Sequence, residues 1–273
     1  MNKYQLFPDI CLICGTEKTP AFSGIEITYC FDGVREYFID GGYYYLTAGS
    51  YIILSNNEAI CSDSPGFRGI TVIIDNKKVP EETGDMLFNS RSFTDTLTGY
   101  TPYIAKADME ISKLFCDAGK FFKSAEIGLL RIRVIEALML ISNGIYTVPA
   151  DKSGKAMAAA DLICSDIITH YTIPQLAEYS QLNPTTFKES FRLTFGCSVY
   201  FYAKCRKMFR ASELLVHTDM KIINIAEEVG YCNASKFAKA FCDVIGTTPK
   251  HFRMEHKKSL KEIVPCGAAF APY

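Results

Sequence analysis

Residues 176–202 read LAEYSQLNPTTFKESFRLTFGCSVYFY, and residues 225–252 read IAEEVGYCNASKFAKAFCDVIGTTPKHF; the second stretch repeats the first. Leu176-Ala177, Leu182, Phe187, Phe191, Phe195-Gly196 and Tyr202 recur as Ile225-Ala226, Tyr231, Phe237, Phe241, Ile245-Gly246 and Phe252, at an offset of 49 residues up to a central break and 50 after it. In each copy the apolar residues keep helical spacing on both sides of that break, which predicts a short helix, a tight turn and a longer helix. That is a helix-turn-helix, the kind of unit that places one helix in a DNA groove, and it is present twice.

In the second copy the spacing predicts a short helix over 221–229, a turn at Gly230-Tyr231 and a reading helix over 235–244. Gly230 suits the left-handed backbone of such a turn, and Asn233 is placed to cap the reading helix. Phe237, Ala240 and Phe241 face the core, so Ala234, Ser235, Lys236 and Lys239 point outward near the helix start, where side chains reach base edges in the major groove. In the first copy the support is 174–179 and the reader 184–195, with Asn183 as cap and Pro184 at the first helical position. Facing out are Thr185, Thr186, Lys188 and Glu189. Gln181 takes the place of Gly230, at a cost of about 1 kcal/mol if it adopts the same left-handed conformation. Between the readers, residues 199–217 form a long helix on which Arg206, Lys207 and Arg210 are expected to be exposed, Arg206 and Arg210 as DNA contacts. A stiff connector of this kind lets both readers enter successive major grooves about 34 Å apart.

Charge follows the same division. Residues 1–150 carry 13 basic against 18 acidic side chains, a net of −5, and residues 172–261 carry 14 against 8, a net of +6, within a chain whose total is −1. The repeated segment is the part that gains from counterion release on a polyanion.

Residues 20–75 are punctuated like an antiparallel β domain. Runs of aromatic and β-branched residues at 25–31, 34–39, 43–46, 51–54 and 67–74 are separated by Asp32-Gly33, Asp40-Gly41-Gly42, Ala48-Gly49 and Pro65-Gly66, which predicts a small barrel or jelly roll. Two helices follow over 108–142. The first carries Met109, Ile111, Leu114 and Phe115 on its apolar side. The second, rich in Ile, Leu and Val from Ile127 to Ile141, is apolar over so much of its circumference that it calls for burial on two sides, either against a second subunit or inside one large core. The expected organisation is residues 1–145, a linker at 146–155 where Gly and Pro break the periodicity, an all-α domain over 156–258 opening with a helix over 156–170 (Met157, Ala160, Ile163, Ile167 and Ile168 inward), and a tail at 259–273.

With 48% apolar residues and 273 in all, the chain can bury two cores. Its apolar runs fall short of the roughly 20 residues of a membrane span and its start lacks a signal-peptide core, so the expectation is a cytoplasmic protein with no membrane partner. Eleven scattered cysteines do not read as a disulfide framework. Cys11 and Cys14 make a lone C-x-x-C without a second pair, and are read as core residues rather than a metal or redox site. All four histidines, His170, His217, His251 and His256, lie beyond the β region, which argues against metal chemistry there. No cofactor is expected. Inside the barrel the candidate lining of an effector pocket is Tyr29, Phe31, Tyr37, Tyr43, Tyr45 and Tyr51, with Arg35 and Arg68 as anchors for an anionic group; the alternative is plain core.

The run Ile223–Tyr231, then Ser235–Phe241, then Gly246–Arg253 resembles the signature of the AraC family of bacterial transcription regulators, and Phe191, Gly196 and the helix of 206–215 match the rest of that domain. The resemblance covers about 156–256. It implies promoter binding through both reading helices, with base contacts at Thr185, Lys188 and Glu189 and at Ala234, Ser235, Lys236 and Lys239. It further implies a sensing and dimerising amino-terminal domain with a small-molecule effector, a homodimer (here through the helix of 126–142), activation through RNA polymerase, and no enzymatic activity. The amino-terminal part resembles the family's cupin-like arm more loosely, in Gly42–Tyr51. Gln181 and the short Ala234 depart from the family pattern. Two other readings stay open: an architectural DNA binder without ligand, and a DNA-repair methyl acceptor, which would need a zinc-binding cysteine cluster.

Overall fold

The computed structural model describes residues 3–7, 10–15, 24–55, 59–75, 102–143 and 150–263, with side-chain detail absent at 143, 150 and 257–263. Residues 146–149 of the expected linker and 264–273 of the expected tail lie outside the described residues.

The strands are β1 (Lys3–Gln5), β2 (Ile10–Cys14), β3 (Gly24–Asp32), β4 (Val34–Ile39), β5 (Gly42–Thr47), β6 (Ser50–Ser55), β7 (Ile60–Asp63), β8 (Arg68–Asp75) and β9 (Tyr103–Lys106). The predicted runs each become a strand; β1, β2, β7 and β9 are additions, too short or too mixed to stand out. Among the described residues they form two antiparallel sheets, β1-β2-β8-β3-β6-β9 and β5-β4-β7. The β4–β5 hairpin pairs Ile39 with Gly42 and turns on Asp40 and Gly41, both at positive φ (49° and 81°), the two-residue turn whose twist matches flanking strands.

β3 is buried along both faces for its first seven residues, so it does not show the alternation of a half-solvated strand. Ile25, Ile27 and Tyr29 join a core with Ile53, Ile70 and Val72 and with two helices, α1 (Met109–Ser124) and α2 (Ile127–Asn143). On the opposite face Thr28 meets Thr71, its cross-strand partner, at 2.9 Å between hydroxyls.

Asp108 caps α1 by accepting from Ile111 N–H at 2.8 Å, and Ile111, Leu114 and Phe115 are buried as expected. Met109 is not: it precedes the first inward position and stands 89% exposed. On α2, Leu130, Val134, Leu138 and Ile141 enter the core, while Ile127, Leu129, Ile132 and Met139 are left exposed. Among the described residues the helix is therefore covered on one side only.

The remaining helices are α3 (Ala150–Ser165), α4 (Ile173–Tyr179), α5 (Pro184–Phe195), α6 (Val199–His217), α7 (Ile222–Glu228), α8 (Ala234–Ile245) and α9 (Pro249–Ile263). α3 begins inside the span expected to be linker and stops before Ile167, so Ile167 and Ile168 belong to the following loop and Ile168 is exposed; Met157 also faces out, and Ala156, Ala159, Ala160 and Ile163 carry the inner face. α9 continues to 263, past the expected boundary at 258. One apolar cluster runs without a break from Val34, Tyr44, Tyr45, Leu46 and Ile104 into Phe191, Phe195, Tyr202 and Phe209. The small sheet is thus docked on the helical part. Among the described residues no helix is long and apolar enough to cross a membrane.

Candidate nucleic-acid interface

The two repeats build the same object atom by atom. In the first turn Gln181 N–H donates to Glu178 O and Leu182 N–H to Ala177 O, both at 2.9 Å; in the second Gly230 N–H donates to Glu227 O at 2.9 Å and Tyr231 N–H to Ala226 O at 2.8 Å. Both turn residues have positive φ, Gln181 at 53° and Gly230 at 80°. Each reading helix then starts on an asparagine: Asn183 Oδ1 accepts from Thr186 N–H and Asn233 Oδ1 from Lys236 N–H, each at 2.9 Å. Each is held down by a phenylalanine pair, Phe187–Phe191 and Phe237–Phe241, with ring centroids 5.8 Å apart in both. Each ends on a left-handed glycine, Gly196 or Gly246, whose N–H donates at 2.9 Å to the carbonyl four residues back.

Because the phenylalanines face inward, the other side of each first turn is open. Thr185, Lys188 and Glu189 are exposed and Thr186 is partly so; Ala234, Ser235, Lys236 and Lys239 are all exposed. Arg210 is exposed as expected, with Glu213 at 2.8 Å.

Arg206 is a correction. It is 8% exposed and turned toward the amino-terminal part, with Nη1 3.5 Å from Glu36 Oε1, Nη2 donating to Tyr43 Oη at 3.2 Å, and the guanidinium 3.9 Å above the Tyr43 ring. It cannot reach DNA in this arrangement. Lys207, also expected outside, is buried and donates to Ile168 O at 3.4 Å; burial lowers its pKa. Glu36 accepts from Tyr45 Oη at 2.9 Å, and burial pushes its carboxyl up to about 7 against the pull of Arg206. Nothing local in the sequence marked these positions, since the groups that cover Arg206 lie some 160 residues upstream.

The expected effector lining does not converge. Tyr29, Phe31 and Tyr51 face the helices α1 and α2, Tyr29 stacking on Phe115 at 4.7 Å. Tyr37, Tyr43 and Tyr45 belong to the small sheet, and Tyr45 packs on Tyr202 and Phe209. Arg35 is buried, bonded through Nη2 to Asp63 Oδ2 at 2.9 Å and lying over Phe67. Arg68 is exposed and paired with Asp32. A depression of about 680 Å³ lies elsewhere, along α2 between Phe7, Arg131, Ile132, Ile135 and Met139. Cys11 and Cys14 point to opposite faces of β2, Cys11 beside Ile13 and Ile73 and Cys14 against the helix side, so the pair cannot share a ligand.

A family model described as a helix-turn-helix domain matches residues 176–255, the span of both repeats. The chain is 30% identical over 96 residues to the lactose operon transcription activator of Staphylococcus xylosus, covering 35% of this chain and 32% of that protein. It is 24% identical over 136 residues to the arabinose operon regulatory protein of Salmonella typhimurium, covering 50% of this chain and 47% of that one. Residues 176–255 form an AraC-type helix-turn-helix domain. A solved transcriptional regulator from Chromobacterium violaceum, described as containing an AraC-type DNA-binding domain, is similar at 20% identity and a TM-score of 0.37, over 40% of this chain and 96% of that one. The chain spans about a third of the first relative's length and about half of the second's. In this AraC-type domain the first turns of α5 and α8 are exposed.

Proposed function

We propose that the protein is a sequence-specific, DNA-binding transcription regulator, with no enzymatic role, in which α5 and α8 are the readers and α6 holds them for adjacent major grooves of one duplex. The observation that carries this reading is the duplicated turn-and-cap geometry with an open first turn on both reading helices. Lys188, Lys236 and Lys239 supply hydrogen bonds to base edges or phosphates, Thr185, Thr186, Glu189 and Ser235 complete the polar set, and Ala234 offers a methyl contact of the kind that suits thymine. Arg210 is a phosphate contact. Relatives named as an operon transcription activator and an operon regulatory protein support a role in transcription regulation; in this reading the protein is an activator, acting with RNA polymerase in the cytoplasm.

The exposed apolar side of α2, with Ile127, Leu129, Ile132 and Met139 beside the groove floored by Phe7, supports a homodimer formed there. The amino-terminal domain, read as cupin-like, is the seat of control by a small-molecule effector. A second reading, a ligand-independent binder, is favoured by the occupation of the expected pocket aromatics by core packing. A melting-temperature screen with metabolites and lipids separates the two, because a ligand that binds only the folded chain raises the melting temperature.

The deciding experiment is a salt-dependent gel shift on DNA upstream of neighbouring genes. Selective retardation that disappears in Lys188→Ala with Lys239→Ala supports the reading; equal weakening on all sequences assigns those lysines to phosphates alone.

A further inference from the structure

We infer that the amino-terminal domain determines the base-pair separation that the two readers demand, by buttressing the ends of both reading helices that face away from DNA. The inference rests on the reading of α5 and α8 as DNA readers and adds a role for residues outside the helix-turn-helix domain.

The contacts fall on the C-terminal ends of the readers and on the connector between them. At the end of α5, Gly196 lies so close to β9 that a Cβ built on it would overlap Ile104 Cγ2, and Phe195 packs on Tyr44 with ring centroids 5.3 Å apart. On the connector, Tyr45 packs on Tyr202 and Phe209, and Arg206 reaches Glu36 and Tyr43. At the end of α8, a Cβ on Gly246 would lie 3.6 Å from Gly66 N, in the turn that leads into β8. One body therefore packs on reader one and on the helix between the readers and passes close to the end of reader two, while the capped first turns, with Lys188 and Lys239, stay exposed.

This arrangement has a mechanical consequence. A reader that pivots about its first turn must move its C-terminal end, and for α5 that means displacing Ile104 and Tyr44 from a close-packed core, which resists volume changes as small as a methylene. The amino-terminal domain then holds the mutual geometry of the readers rather than covering them. Loosening the seam should leave each reader's own base preferences intact and relax only the separation between the two blocks of sequence.

The test is selection from a randomised duplex DNA library with the full-length chain, comparing the wild type with Ile104→Val, Ile104→Ala and Tyr44→Leu, each first checked for a cooperative melting transition. The wild type should yield two sequence blocks at one separation, with a one-base-pair change costing roughly tenfold in affinity, the scale of a mismatched pair. The variants should keep both blocks while separations spread over several base pairs, in the order Val, then Ala. Ile104→Val removes one methylene and retains the fold, so it carries the test if the larger truncations do not fold. A single unchanged separation in the folded variants overturns the inference. If the wild type selects no motif at all, the DNA-reading assignment itself falls, and the inference with it.

Discussion

Gln181 and Gly230 occupy the same left-handed turn 49 residues apart, each donating its N–H at 2.9 Å to the carbonyl of a glutamate three residues back, Glu178 or Glu227. Only one of them is the residue that conformation favours. Gln181→Gly removes the Cβ clash of a left-handed non-glycine and should raise stability by up to about 1 kcal/mol, part of the gain being lost to the looser unfolded chain. Gly230→Ala should lower it by about 1–2 kcal/mol or more, because the added Cβ would sit 2.7 Å from Ile168 O as well as adopting a strained φ. Denaturant unfolding of the two variants checks both signs.

Glu36 predicts a pH dependence. Its carboxyl is raised from 4.5 to about 7 by burial at the seam with Arg206, so the folded chain binds this proton more tightly than the unfolded one. The stability this contributes is fully present below about pH 4.5 and is lost as pH rises through about 7. Glu36→Gln, which cannot titrate, should flatten the decline of stability between those limits, measured by melting temperature against pH. An unchanged slope would show that Glu36 is ionised or solvated in the folded chain.

The two arginines of α6 should behave oppositely on DNA. Arg210→Ala should reduce the salt dependence of binding by about one unit of slope, as expected for one lost phosphate contact. Arg206→Met should leave that slope unchanged, since the side chain is spent on Glu36 and Tyr43. Titrations at several salt concentrations distinguish them.

What the sequence disclosed and what it withheld divide along the range of the interactions. Asn183, Asn233, Gly230 and the phenylalanine pairs act within one turn of helix, and their identities alone placed both readers to within a residue. Arg206 and Lys207 were misplaced because helical periodicity puts a charged residue on the solvent side by default, whereas here β4, β5 and the loop at Ile168 bring partners to it from far along the chain. Of the strand aromatics, Tyr29, Tyr37, Tyr45 and Tyr51 are buried and Phe31 and Tyr43 half-buried, and period-two alternation does not say which of two cores each one enters: Tyr29 went to the helices α1 and α2, Tyr45 to the helical domain. Met109, the first residue of α1, and Ile168, three residues past the end of α3, illustrate a lesser limit, an apolar residue beyond a helix or off its inner face.

Self-association should run through α2. Ile132 and Met139 are 59% and 51% exposed, so Ile132→Lys with Met139→Lys leaves the monomer core untouched. Sedimentation at micromolar concentration should show a dimer for the wild type and a monomer for the double variant, with melting little changed apart from the loss of dimer linkage. A wild type that sediments as a monomer with and without DNA rejects this interface.

The central claim is that two equivalent readers engage one duplex together, and hydroxyl-radical footprinting of the full-length chain on its selected DNA addresses it most directly. Each bound chain should give two protected blocks on one face of the helix, about one turn apart, with Lys188→Ala erasing one block of the pair and Lys239→Ala the other. A single block, or a loss of both from either substitution, would contradict it.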